Sequence, residues 1–403
     1  MRRAVRFRNV AAGQLPPGPD AVLASFRGPF GLYLHIPFCR SICPYCPYNK
    51  VLHRADLVPR YLDALREELR LYDAERQPFV SLYVGGGTPS LCLPELAPVL
   101  AGITVEHERA IEVLPTHATA GTVAELRDLG FDSVSLGIQS FDERVLAHLG
   151  RPNSAEDNRR ALDRCVGSFA CVNADLIFDA TFAEPSVFLR DFEICCRAQV
   201  EQISTYPLMR FGFTRAGKAP HAPRLEHDLL RRACTLAEEL GYERRSVWTF
   251  TRAGAPLYAS IAREFYLGCG AGAATWTGTY FLVNHFGLDP YARALAERRA
   301  PVARWTHLDQ RRAALYYAFW RLYAPGLDPA RLALLFPGAR PWSTLLCRVL
   351  RLAGQLEPED GRLRLTNRGY DRYHDAERWV TYHLIEPLWT DLSEEHRSLR
   401  GEP

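Results

Sequence analysis

The chain has 403 residues, 47% of them hydrophobic and 24% charged, with a formal net charge of +3. That length holds one α/β barrel of about 250 residues with a smaller domain beside it; the net charge argues neither for nor against nucleic acid, but no arginine-rich stripe interleaved with aromatics is present, which argues against a nucleic-acid binder. The eleven cysteines are odd in number and scattered, unlike a secreted disulfide framework, and no run approaches the ~20 apolar residues of a membrane span, so a soluble, cytoplasmic protein that engages neither membrane nor nucleic acid is expected.

In chain order, Met1-Arg2-Arg3-Ala4-Val5-Arg6-Phe7 is basic but has no apolar signal core behind it. Residues 1–28, with Leu15-Pro16-Pro17-Gly18-Pro19, read as an irregular lead-in. From there, short apolar runs alternate with amphipathic segments. Strands are predicted at Gly31–Ile36, Val80–Val84, Ala110–Val113, Ser133–Ile138, Val172–Phe178, Gln202–Pro207 and Arg244–Phe250. Helices are predicted at Leu57–Ala74 (with Leu62, Leu65, Leu69 and Tyr72 on one face), Thr119–Leu129, Glu143–Leu149, Glu156–Cys165, Val187–Ala198 and Leu225–Leu240. Repeated strand–helix units with apolar strands make a parallel sheet buried on both faces. About six units are too few to close an eight-unit barrel, so the expected fold is α/β: a partial (β/α)6 TIM-type barrel over residues 29–284. After residue 285 the rhythm stops, and helices near Leu308–Leu322 and Leu345–Leu352, with Leu363–Leu365 as part of a wing-like hairpin, predict a mainly helical C-terminal domain over 285–403.

Cys39, Cys43 and Cys46 are spaced C-x3-C-x2-C just after the first predicted strand. Three thiolates on one tight loop can hold three irons of a [4Fe–4S] cluster and leave the fourth open to a substrate or cofactor. A zinc site would want a fourth ligand, for which His35 is the candidate; plain core packing is the third reading. Other polar or flexible features fall at strand ends, where the βα loops of such a barrel gather: Gly85-Gly86-Gly87-Thr88-Pro89 after the second strand, Glu112 on the third, Gln139 after the fourth and Asp175 in the fifth.

The chain resembles radical SAM enzymes, and within them those similar to oxygen-independent coproporphyrinogen III oxidase, a subgroup that includes cobalamin-independent radical methyltransferases. The resemblance rests on Tyr33-x-His35-Ile36-Pro37-Phe38-Cys39, the cysteine loop, Gly85–Pro89, Ser135-Leu136-Gly137-Ile138-Gln139-Ser140-Phe141, Gly150-Arg151-Pro152, Asp175-Leu176-Ile177-Phe178 and Leu267-Gly268-x-Gly270-Ala271-Gly272-Ala273. It implies a [4Fe–4S] cluster on Cys39, Cys43 and Cys46, S-adenosylmethionine on the open iron, and an electron donor such as flavodoxin or ferredoxin. It also implies cofactor contacts from Tyr33, Tyr45 (packing on adenine), Gly85, Gly86, Gly87, Thr88, Glu112, Gln139, Arg151 (pairing with the methionine carboxylate) and Asp175. No catalytic residue is singled out.

Three features depart from the plain oxidase. Tyr48 stands where that enzyme usually has a further cysteine. Asp179-Ala180-Thr181 replaces Gly-Leu-Pro after the fifth strand, where relatives accommodate a second S-adenosylmethionine. The segment before the first strand is short. Methyl or methylene transfer to an unsaturated or aromatic small molecule, using a second S-adenosylmethionine, is therefore the first functional expectation. The alternatives are oxidative decarboxylation of a porphyrinogen propionate, and a heme carrier whose axial ligand would be a residue such as His285 or Cys269.

Overall fold

The computed structural model describes residues 7–179, 181–218, 222–256 and 263–400. Residues 1–6 of the basic N-terminal run, and Ala180 of the loop after the fifth strand, lie outside the described residues. Seven parallel strands form the centre of one sheet: β1 (Gly31–Ile36), β2 (Phe79–Gly86), β3 (Val105–Val113), β4 (Ser133–Gln139), β5 (Cys171–Phe178), β6 (Gln202–Pro207) and β7 (Tyr266–Cys269). Their spatial order is β7-β1-β2-β3-β4-β5-β6, so the six predicted units follow one another around the sheet as expected. Helices such as Leu57–Leu71, Ala155–Cys165, Pro185–Arg197 and Pro223–Glu239 connect them.

The strands are buried on both faces. Leu32, Leu34 and Ile36 of β1 are fully buried, each contributing ~1.5–3 kcal/mol relative to exposure. The covering helices begin where the sequence supplies acceptors for orphan N–H groups: Thr119, Asp142 and Ser154 cap the three helices around β4, Ser154 in a reciprocal box with Asp157.

The sheet does not close into a barrel. Beyond β6 it continues antiparallel through Thr249–Arg252 to Tyr242–Arg244, and beyond β7 through Ala274–Trp276, Tyr280–Asn284 and Val302–His307 to Arg8–Asn9. Several expectations are corrected here. The single strand expected at Arg244–Phe250 is two strands of a hairpin, with Ser246, Val247 and Trp248 turning between them. The lead-in is not wholly irregular, because Arg8–Asn9 joins the sheet edge and Pro19–Ala24 is helical, with proline at its first position.

β7 lay unrecognised inside the Leu267-Gly268-x-Gly270 motif. A Cβ on Gly268 would stand 2.0 Å from the Ala274 carbonyl oxygen, so only glycine lets the next strand fold back this closely. The expected boundary after residue 284 falls between Tyr280–Asn284 and Val302–His307, which pair in one sheet. From Gln310 the chain is mainly helical, with the expected hairpin at Leu356–Glu359 and Arg362–Leu365.

Candidate active site at the strand ends

β1 delivers the cysteine loop. The loop is pinned where Phe38–Cys39 pairs in parallel with Val51–Leu52 and where Val51 N donates to the Pro37 carbonyl at 2.7 Å. Cys39, Cys43 and Cys46 are free, half-buried thiols. Donors already face two of the sulfurs: Thr88 Oγ1 lies 3.7 Å from Cys39 Sγ, and Arg151 Nη1 lies 3.6 Å from Cys43 Sγ. Burial pushes the Cys39 thiol up to about 11 and raises Cys46 as well, so thiolates here need a positive partner, which iron supplies. Among the described residues no three His, Cys, Asp or Glu side chains gather as ligands of a single ion would. A cubane carries one thiolate per iron, so its sulfurs need not converge on one point, and the donor set fits that group.

His35 is not available as a zinc ligand. Its Nε2 lies 2.9 Å from the Asn49 carbonyl oxygen and its Nδ1 2.8 Å from the Tyr33 hydroxyl. A carbonyl only accepts, so Nε2 carries the proton and Nδ1 accepts from Tyr33. Burial lowers the ring's pKa to about 4 and keeps it neutral. His35 thus ties β1 to the end of the cysteine loop.

The glycine run is similarly committed. Gly86 N donates to Glu112 Oε2 at 3.0 Å, Gly87 N to the Ile36 carbonyl and Thr88 N to the Phe38 carbonyl, both at 2.8 Å. These N–H groups are therefore spent inside the fold. What the glycines give is close approach: a Cβ on Gly86 would sit 2.6 Å from the His35 ring, and one on Gly87 2.7 Å from the Phe38 carbonyl oxygen.

Two carboxyls stand at the ends of β3 and β5. Glu112 accepts from the Tyr83 hydroxyl at 2.7 Å as well as from Gly86, and burial raises its pKa. Asp175 accepts from Ser135 Oγ at 2.8 Å and Asn173 Nδ2 at 2.9 Å; burial first, and Glu112 after it, push its pKa up to about 7. Gln139 is buried at the β4 end, where the register with β5 shifts, and holds φ at 68°, a conformation side chains rarely adopt. Arg151 donates through Nη2 to the Gly137 carbonyl at 2.7 Å and through Nε to Asn153 Oδ1 at 3.2 Å, besides facing Cys43. Three of its five N–H directions go to these groups, and the Tyr45 hydroxyl is a further hydrogen-bond neighbour. Tyr45, half-buried beside Arg151, has its hydroxyl pKa raised by burial. The structure thus brings Tyr33, Tyr45, Gly85–Thr88, Glu112, Gln139, Arg151 and Asp175 to the same strand ends as the three cysteines.

Sequence reading missed the opposite wall. Tyr48 is 55% exposed, yet its hydroxyl pKa is raised by the protein around it and by Glu112, Cys46, Asp175 and Glu377. Tyr48 thus lies between the strand ends and the C-terminal helices. Beside it the rings of Tyr206, Trp248, Tyr323, Trp320 and Tyr316 follow one another at 6.0–6.2 Å between centroids. Glu377, 6% exposed on the helix Asn367–Val380, has an Oε2 without a hydrogen-bond partner and is pushed up to about 7 by burial. Trp389 of the helix Glu386–Arg400 packs 5.8 Å from Tyr48, ring to ring.

A buried network ties the helix Asn367–Val380 to the rest of the fold. Trp248 Nε1 donates to His374 Nδ1 at 2.9 Å, His374 Nε2 meets Glu226 Oε2 at 3.0 Å, and Arg378 also reaches Glu226. The one readable signal was charge on the buried face of a helix: Tyr370, Tyr373, His374, Glu377 and Arg378 recur at helical spacing. At the β5 end, Arg210 Nη2 bridges Asp179 Oδ2 at 2.9 Å and His148 Nε2 at 3.2 Å, and His148 stacks on Phe182 at 3.7 Å.

Residues 33–190 match the Radical SAM superfamily. Over 194 residues the chain is 36% identical to the heme chaperone HemW of Mycobacterium tuberculosis, covering 45% of this chain and 50% of that protein. It is 32% identical over 193 residues to the oxygen-independent coproporphyrinogen III oxidase of Pseudomonas aeruginosa, covering 44% of this chain and 42% of that one. The chain spans about half the length of these curated relatives. The solved coproporphyrinogen III oxidase HemN of Escherichia coli, a radical SAM enzyme, shares the fold with a TM-score of 0.75 at 22% identity, covering 89% of this chain and 92% of that one.

Proposed function

We propose, from the premise that this chain belongs to the radical SAM superfamily and within it to the oxygen-independent coproporphyrinogen III oxidase-like subgroup, that it acts on a tetrapyrrole-sized unsaturated molecule by hydrogen abstraction of the oxidase type. The observation that carries the reading is the aromatic wall beside the strand ends, where Tyr206, Trp248, Tyr323, Trp320 and Tyr316 touch ring to ring and Tyr48 packs on Trp389. Aromatic walls suit a flat conjugated ligand.

When bound, the [4Fe–4S] cluster and S-adenosylmethionine supply one electron and a 5′-deoxyadenosyl radical, the hydrogen-abstracting agent. Cys39, Cys43 and Cys46 hold the cluster. Arg151, which faces Cys43, pairs with the methionine carboxylate. Asp175 and Glu112 accept from ribose hydroxyls or the ammonium group, Gln139 and Tyr33 complete the polar surround, and Tyr45 packs on adenine. Gly85, Gly86, Gly87 and Thr88 let the cofactor approach the backbone closely. Electrons come from a small redox protein of the flavodoxin or ferredoxin kind.

The relatives' names support the oxidase or heme-carrier reading over methyl transfer, the first expectation from sequence. The ion cluster Asp179–Arg210–His148, occupying the loop where a second S-adenosylmethionine was in question, also weighs against a two-cofactor reaction. For the carrier, Cys269 is a poor axial ligand because it is fully buried on β7.

The test is anaerobic. Reconstituted, reduced protein is given coproporphyrinogen III and S-adenosylmethionine deuterated in its methyl group. Unlabelled 5′-deoxyadenosine together with decarboxylated porphyrinogen is expected. Deuterium in 5′-deoxyadenosine would establish methyl abstraction instead, and stoichiometric hemin uptake without 5′-deoxyadenosine would establish the carrier.

A further inference from the structure

One helix of the C-terminal part is amphipathic in the unusual sense of exposing its apolar residues. In Arg340–Leu352, Leu352 is 89% exposed, Leu345 60%, Val349 52% and Trp342 38%. At 100° per residue these four side chains fall within an arc of ~80° on one face. Three arginines, Arg340, Arg348 and Arg351, are exposed on the same helix. From Pro329 to Leu356 the chain holds four arginines and no aspartate or glutamate. The hairpin next in sequence brings Glu357, Glu359 and Asp360, but Glu359 is taken by Arg364. Leu334 of the preceding helix Pro329–Leu335 adds a side chain that is 72% exposed.

We propose that this helix seats the protein on an anionic lipid surface, with Leu345, Val349 and Leu352 entering the headgroup–acyl boundary and the arginines meeting lipid phosphates. An apolar stripe bordered by arginine on one helix is the pattern of a segment that lies in the interface plane. The charge complements anionic headgroups. A stripe of four or five side chains is small for a stable dimer, which takes about 20–30 residues a side. No helix among the described residues is long and apolar enough to cross a membrane, so the association is peripheral and reversible. It goes beyond the expectation from sequence, which foresaw no membrane partner, and it is independent of the reaction proposed above.

The experiment is flotation of the intact, cluster-loaded protein with vesicles of phosphatidylcholine alone or mixed with phosphatidylglycerol. Binding to the anionic vesicles, at least tenfold tighter than to phosphatidylcholine and weakened by salt, is expected. Replacing Arg348 and Arg351 together with alanine is expected to weaken it roughly thirtyfold, and L345E with L352E to abolish it. Because these side chains are exposed, the variants keep native circular dichroism and S-adenosylmethionine cleavage. No binding to anionic vesicles, or binding unchanged in L345E/L352E, overturns the proposal. So does a wild-type dimer in sedimentation velocity that L345E disperses, since the stripe then belongs to a second copy.

Discussion

Replacing Arg151 with alanine separates the cofactor role of this residue from its structural one. The guanidinium makes three internal contacts, to the Gly137 carbonyl at 2.7 Å, Asn153 Oδ1 at 3.2 Å and Cys43 Sγ at 3.6 Å. None of these bonds holds two strands together, and the groups left behind are acceptors, so the fold should survive with a loss of ~1–2 kcal/mol. The same guanidinium is the group assigned to the methionine carboxylate. Losing a hydrogen bond to a charged group removes ~1.5–3 kcal/mol, which weakens S-adenosylmethionine binding roughly ten- to 150-fold at 1.36 kcal/mol per decade. The assay is equilibrium binding of S-adenosylmethionine to anaerobically reconstituted protein, with iron and sulfide content measured on the same sample. Arg151→Lys should recover only part of the affinity, because an ammonium cannot form the fork-shaped pair. An affinity unchanged in Arg151→Ala, at full iron content, refutes the assignment.

Cys43→Ala should lose both the cluster's visible absorbance and S-adenosylmethionine cleavage; retained cleavage would remove the cysteine loop from the site. Glu68 is fully buried and accepts from Gly270 N at 2.7 Å, Tyr291 OH at 2.6 Å and Asn284 Nδ2 at 2.7 Å, so Glu68→Ala orphans three donors and should cost at least ~3 kcal/mol in urea unfolding, whereas a loss under ~1 kcal/mol would show that the site relaxes. Gly268→Ala should prevent stable folding, because its Cβ meets backbone rather than a movable side chain; a soluble variant with native circular dichroism would contradict that reading. Glu377 has a folded pKa raised to about 7, so the native state holds a proton that the unfolded chain releases near pH 4.5. Its share of stability therefore falls as pH rises from about 4.5 to 7, by on the order of 3 kcal/mol, and Glu377→Gln should flatten the stability–pH curve in that window. A curve of unchanged slope would sink the assignment.

Much of the chain was legible before any coordinates. The six strands from Gly31–Ile36 to Gln202–Pro207 lie within two residues of expectation at most ends, except that β3 starts earlier, at Val105. They were legible because parallel strands buried on both faces are short apolar runs, and the helices between them keep a 3.6-residue period. The cysteine spacing was equally local, since three ligands within eight residues need no tertiary information.

Tertiary structure decided the rest. β7 is four residues of Tyr-Leu-Gly-Cys and becomes a strand only because β1 offers it an unpaired edge. The glycine run reads as an open ligand-binding turn, yet its N–H groups are used by Glu112 and by the cysteine loop, partners that meet them only in space. His35 reads as a fourth metal ligand until Tyr33 and Asn49 occupy both its nitrogens. Glu377 lies more than 300 residues from Tyr48, so no pattern along the chain could bring the two into one neighbourhood. Sequence by itself determined the elements and the spacing of the three candidate cluster cysteines, because propensity, periodicity and short-range spacing are properties of neighbouring residues. Which polar groups are spent holding the fold, and which are left to face a ligand, depends on contacts between distant segments, and these exist only once the chain has folded.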